Sequence, residues 1–145
     1  MNEPLVLDTN ALNSKDLMYW LRSYRGKVIL PIIAYCEFCY YQIVLKRKTI
    51  NQIDALLRTS NIEIRNMSKS DVSCVIDICQ DIKEPEFKKN WRDYMIGAFA
   101  HLPPHRLITE NVDDFDFLGN RVIDPVSLLE KYDNKGKKRK RRRKA

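Results

Sequence analysis

Apolar residues follow two rhythms along this chain. Leu5-Val6-Leu7, Val28-Ile29-Leu30, Leu107-Ile108 and Val122-Ile123 are short unbroken runs, and Ile62-Glu63-Ile64 alternates. Segments this short with no helical spacing predict buried strands. Between them the apolar positions recur at three and four residues. Ile33, Cys36, Tyr40, Ile43 and Val44 do so in a helix expected from Ile32 to about Lys46, and Val72, Val75, Ile76 and Cys79 do so further on. Those spacings place each set on one helix face. A short helix is expected over Asp16 to Tyr24, ended by Gly26. Thr49 with Gln52, and Ser68 with Asp71, have the spacing of capping boxes for two more. Residues 82–90 are polar and contain Pro85, which predicts a loop. Asn90 then caps a helix from Trp91 to Ala100, stopped by Pro103 and Pro104. Asp124 and Pro125 supply a cap and first position for a last helix to about Tyr132. Strands that alternate with helices predict an α/β fold, a three-layer α/β/α sandwich around a central, mainly parallel sheet of about five strands.

Composition changes this picture mainly through charge. The chain has 26 Lys and Arg against 19 Asp and Glu, a net charge of +7. Nine of the basic residues are Lys135, Lys137, Lys138, Arg139, Lys140, Arg141, Arg142, Arg143 and Lys144. The remainder, with 17 basic against 19 acidic side chains, is mildly acidic. The expected organisation is one domain over residues 1–134 and a basic tail over 135–145 that stays disordered until it meets a polyanion. Such a tail suits sequence-blind attachment to RNA, or else a solubilising or targeting role. No apolar run approaches the roughly 18 residues of a membrane span, and the N-terminus lacks the order of a signal peptide. A cytoplasmic protein without membrane attachment is therefore expected. Cys36, Cys39, Cys74 and Cys79 lack the turn-forming neighbours of a zinc site and are expected to be buried free thiols.

Three further carboxylates join Asp8 at positions a core pattern should reject. Asp8 ends the first apolar run, where open α/β sheets place ligands. Glu37 shares the helical spacing of Ile33, Tyr40 and Tyr41, so it reaches solvent at the stripe's border, is paired, or binds a cation. Asp93 has Ile96, Gly97 and Ala100 at following positions of its face. An Asp in a first turn is ordinary, because it suits the helix dipole. Mid-helix Gly97, however, costs about 1 kcal/mol against alanine, which argues that this helix is pressed close against the sheet. The stretch Thr109-Glu110-Asn111-Val112-Asp113-Asp114-Phe115 follows the fourth strand, either as an acidic surface turn or as further oxygen ligands. All four sites are expected on one edge of the sheet. Clustered carboxylates stay ionised only with cations, and oxygen-only ligands suit Mg²⁺ or Mn²⁺.

The ordered set Val6-Leu7-Asp8-Thr9-Asn10, the Glu37 helix, Asp93-Tyr94-Met95-Ile96-Gly97-Ala98-Phe99-Ala100, the Thr109-to-Phe115 turn and Val122-Ile123-Asp124-Pro125 resembles the PIN-domain ribonuclease family, of the VapC-like or archaeal type. The resemblance spans about residues 4–132. It implies a metal-dependent endoribonuclease, either the toxin of a toxin–antitoxin pair or an RNA-processing enzyme. Asp8, Glu37, Asp93 and Asp114 would be its catalytic acids and would hold one or two Mg²⁺ or Mn²⁺ ions. Asp113 competes with Asp114 for the fourth place, and spacing from Asn111 favours Asp114. Asn10, Thr109 and Asn111 would orient the ligands. A homodimer is implied by the resemblance alone, and an antitoxin protein would be the partner of a toxin. The tail is not shared with the family, and a permanent anchor fits a processing role better than a toxin.

For RNA contact, Lys88, Lys89 and Arg92 with interleaved Trp91 suit a single strand, as does the basic tail. Tyr19, Trp20, Arg22 and Tyr24 fit core packing better than substrate contact. His101 and His105 flank the Pro-Pro stop as loop residues. The main alternative function is a catalytically silent PIN-like RNA-binding scaffold. A phospho-acceptor aspartate is disfavoured, because Asn10 stands where the phosphatase pattern has a second Asp.

Overall fold

In a computed structural model that describes residues 2–101 and 104–133, the apolar runs pair as one five-stranded sheet. The strands are β1 (Leu5–Leu7), β2 (Val28–Pro31), β3 (Ile62–Arg65), β4 (Arg106–Ile108) and β5 (Val122–Ile123). Their order is β3-β2-β1-β4-β5, and every neighbouring pair is parallel. Val6 lies opposite Ile29 on one side and Leu107 on the other. Leu5, Val6, Leu7, Ile29, Leu30, Leu107 and Ile108 are completely buried, as strands covered on both faces must be. The chain crosses to one side of β1 through β2 and β3, then to the other through β4 and β5. The order therefore reverses at β1, and the carboxyl ends of β1 and β4 border the crevice where such sheets bind ligands. Asp8 follows β1 and Thr109 follows β4.

The helices cover the sheet. A 3₁₀ turn at Thr9–Asn13 leads into α1 (Lys15–Leu21), capped by Ser14 Oγ on the Leu17 N–H. α2 (Ile32–Cys39) runs on into a π-helical turn at Tyr40–Leu45. α3 (Ile50–Thr59) and α4 (Lys69–Ile78) start with the Thr49/Gln52 and Ser68/Asp71 capping boxes, both fully formed. α5 spans Glu84–Ala98, and α6 covers residues 125–133. Asp124 caps α6, accepting the Ser127 N–H at 2.8 Å and the Ser127 hydroxyl at 2.7 Å. Among the described residues no helix is long and apolar enough to cross a membrane. The basic tail and Pro103 lie outside the described residues.

The loop expected at residues 82–90 is confined to its first two residues, and from Glu84 onwards it is instead the first half of α5. Pro85 is tolerated there because the N–H groups of a helix's first turn have no intrahelical acceptor to lose. Glu84 and Glu86 in that turn complement the helix dipole. Asn90 is thus no cap, and Asp93 lies well inside a helix, so the first-turn explanation of its charge does not apply.

Gly97 is in close contact, although not with the sheet. A Cβ there would stand 2.5 Å from the ring of Phe117, in the helical stretch Val112–Arg121 that replaces the expected polar turn. Phe115 and Leu118 anchor that stretch in the core. The cysteines are free, but none is buried: Cys36 is exposed and the others are partly covered. The aromatic group of α1 divides, with Trp20 and Tyr24 packing on Tyr132 while Tyr19 is 72% exposed.

Gly97→Ala is expected to destabilise the fold by about 1–3 kcal/mol through overpacking, offset in part by alanine's better helix propensity. In a Phe117→Leu background the same change should become neutral or stabilising, measured by denaturant unfolding. Asp124 gives a pH test. The Ser127 N–H holds its carboxyl below the usual range, with burial opposing and the Ser127 hydroxyl adding to the effect. A carboxyl depressed in the folded state stabilises above its unfolded pKa, and the contribution is lost as pH falls through the folded value. Asp124→Ala should therefore cost about 1 kcal/mol at neutral pH. The gap to wild type should narrow as the pH drops below about 4.

Candidate functional site

Asp8 is only 1% exposed, yet both of its oxygens are occupied. Oδ1 accepts the Thr9 N–H at 2.7 Å, and Oδ2 accepts the Thr109 hydroxyl at 2.9 Å. The first bond comes from the 3₁₀ turn that Asp8 itself caps. The second exists because β4 pairs directly with β1. Thr109 in turn accepts the Asn111 N–H at 3.1 Å, and Asn10 Oδ1 accepts the Glu110 N–H at 3.0 Å. Thr109 and Asn10 thus tie the end of β4 to the end of β1 and Thr109 holds one oxygen of Asp8, while Asn111 takes part only through its backbone N–H, bonded to Thr109.

The centre of the site is Arg92. Its Nη2 donates to Asp8 Oδ1 at 2.9 Å and to the Thr9 hydroxyl at 3.2 Å. Its Nε donates to Glu37 Oε2 at 2.5 Å, and its Nη1 to Asp93 Oδ1 at 3.0 Å. One planar guanidinium therefore joins carboxylates from the end of β1, from α2 and from α5. Burial opposes the charge on Arg92, but Asp8 and Glu37 outweigh it and keep the pKa above the ordinary arginine value. Burial pushes the Asp93 carboxyl up; Arg92 opposes this, and the charges of Asp114 and Asp8 reinforce it.

Asp114 is not among the hydrogen-bond partners of Arg92. It is exposed, as is Asp113, and with Asp93 both line a separate cleft of about 350 Å³. The charge of Asp114 helps to raise the Asp93 carboxyl. A neighbouring cleft of about 360 Å³ opens over Asp8, Glu37 and Arg92, with Tyr41, Lys46 and Asn111 also lining it. Lys88 is turned away, paired with Glu84 at 2.8 Å with both side chains about three-quarters exposed, and such a bridge contributes little. Lys89 and Trp91 are exposed, while Arg92 points inward and does not stand with them. His101 and His105 lie between α5 and β4.

The donor chemistry of Asp8, Glu37 and Asp93, oxygen only and ionisable, fits a hard divalent cation. As placed, however, these carboxylates are spread around a guanidinium. Among the described residues no three His, Cys, Asp or Glu side chains are grouped as a metal ion would need them. The need for a positive charge among these acids is readable in the sequence; the inward turn of Arg92 is not. With the helix start set at Trp91, Arg92 fell in an exposed first turn beside two lysines. The signal that could have found it is its place beside Asp93, one of the carboxylates in need of a counter-charge.

No protein-family model matches the chain, and no curated protein matches it. Solved structures do match. A chain of a structure described as a toxin–antitoxin complex from Klebsiella pneumoniae superposes with a TM-score of 0.58 at 21% sequence identity, covering 83% of this chain and 97% of that one. The likeness is one of fold: an α/β domain on a parallel five-stranded sheet.

Proposed function

We propose that this chain is a metal-dependent endoribonuclease that hydrolyses phosphodiester bonds in RNA, with Asp8, Glu37, Asp93 and Asp114 as its acids. The observation that carries this reading is the convergence of carboxylates from β1, α2 and α5 on one cationic centre at the sheet's switch point. Asp8, Glu37 and Asp93 would hold Mg²⁺ or Mn²⁺, and Asp114 would add charge from the far side of Asp93. When bound, the ion would supply an activated water and relief of charge on the leaving oxygen. The chain's own residues do the rest. Thr9 and Thr109 fix the Asp8 carboxylate before any ligand arrives, so no ordering cost falls on the reaction. Asp93, half-buried beside Arg92 and Asp8, presents its carboxylate from α5 on the opposite side of the guanidinium from Glu37. Tyr41, about half exposed, and Lys46 at the rim offer a stacking face and a phosphate partner to a single strand. The basic tail would add sequence-blind attachment.

The fold shared with a chain of a toxin–antitoxin complex supports a toxin with a protein antitoxin as partner over an RNA-processing enzyme. A homodimer in the cytoplasm is part of the same reading. The hydrogen bonds of Arg92 to Asp8, Glu37 and Asp93 favour a second reading, a silent RNA-binding scaffold in which the guanidinium stands where a metal ion would.

The deciding experiment treats total cellular RNA with wild type, Asp8→Asn and Asp93→Asn, in Mn²⁺ and in EDTA. Wild type should cut only with Mn²⁺, and each variant should lose about 100-fold or more in rate. Tight binding without cutting in any condition would establish the scaffold, and undiminished cutting by either variant would remove that acid from the site. In EDTA, Lys46→Glu and deletion of residues 135–145 should each weaken RNA binding and flatten its salt dependence.

A further inference from the structure

One oxygen of each of Asp8, Glu37 and Asp93, the acids that would hold a metal ion, already accepts a nitrogen of Arg92. We infer that Arg92 is a resident cation competing with the divalent ion for the same carboxylates, so that metal enters only as the guanidinium leaves. This rests on the metal-site reading above and concerns what regulates that site. Asp8 Oδ1, Glu37 Oε2 and Asp93 Oδ1 each accept a nitrogen of Arg92. An ion bonded to these oxygens at about 2.0–2.1 Å would collide with a guanidinium nitrogen and repel its charge. The two occupants therefore exclude each other.

The site also explains why the cation is an arginine from this place on the chain. Its acids come from three separate elements, and only a planar fork with donors in several directions meets all three at once. Lysine, a point charge, would satisfy one or two. Arg92 precedes Asp93 on α5, so its side chain reaches past its neighbour to Asp8 and Glu37. A way out exists as well. The side chain is 31% exposed and lines the cleft, so it can swing into solvent without unfolding. In the metal-free protein Arg92 offsets the mutual repulsion of buried and half-buried acids. In the metal-bound protein its departure is a cost subtracted from metal affinity, a negative coupling of the size that such linkages take, about 5- to 150-fold.

The test titrates the metal-stripped full chain with Mn²⁺, by calorimetry and by the resonance signal of free Mn²⁺, for wild type, Arg92→Gln and Arg92→Lys. Arg92→Gln should bind at least about fivefold more tightly than wild type, with Arg92→Lys between them. In EDTA, Arg92→Gln should melt below wild type, and Mn²⁺ should raise its Tm by more than it raises that of wild type. If Arg92→Gln folds only with Mn²⁺, the ion is replacing the guanidinium directly, which also supports the inference. Adding Asp8→Asn to Arg92→Gln should remove the gained affinity; affinity that persists would place the ion elsewhere and overturn the proposal. Equal or weaker binding by both Arg92 variants would overturn the competition while leaving the metal site standing. Absence of Mn²⁺ binding by every form would overturn both.

Discussion

A carboxylate buried at the end of a central strand must be compensated where it sits. Removing an ion from water costs several kcal/mol after relaxation, and Asp8 is all but inaccessible. Its compensation comes from one neighbour in sequence, the Thr9 N–H, and from two distant groups, the Thr109 hydroxyl and the Arg92 guanidinium. Each depends on a different level of the fold. The first needs only the local 3₁₀ turn, the second needs β4 beside β1, and the third needs α5 packed beside α2. The site is thus a consequence of how the chain satisfies one buried charge.

The placement of α5 is mechanical before it is electrostatic. Its length is set by a start at Glu84 that accommodates Pro85, and its depth by Gly97 against Phe117. With a side chain at position 97, the helix or the Phe117 ring would have to shift. Arg92 and Asp93 sit within two turns of that contact, so the packing of a glycine governs the geometry of the charges. The stretch that carries Phe117 also carries Asp114, which couples the two sides of Asp93.

Charge is divided along this chain as well as across its site. Residues 1–134 are mildly acidic, while the basic residues after position 134 account for the net positive charge. Of the lysines near the acidic site, Lys46 lines the cleft over Asp8, whereas Lys88 and Lys89 do not. The site's own counter-charge, Arg92, is bound up with the acids.

The strands, the two capping boxes and the Asp124 cap were all legible in the sequence, because each depends on neighbours within a few residues. Leu5-Val6-Leu7 can bury itself only as a strand between others, and Thr49 with Gln52 can cap only the helix that follows. The alternation of strands and helices carried the sandwich and its parallel sheet. The misfit of Asp8, Glu37 and Asp93 with an apolar pattern marked them as one edge's problem. What escaped was non-local. Pro85 breaks a helix interior but not a first turn, and no local signal says which turn it occupies. Gly97 announced a close approach without naming Phe117 as its partner. Arg92 read as one more cation beside two lysines, because only the tertiary structure decides which way a long side chain turns when three carboxylates from three elements meet next to it.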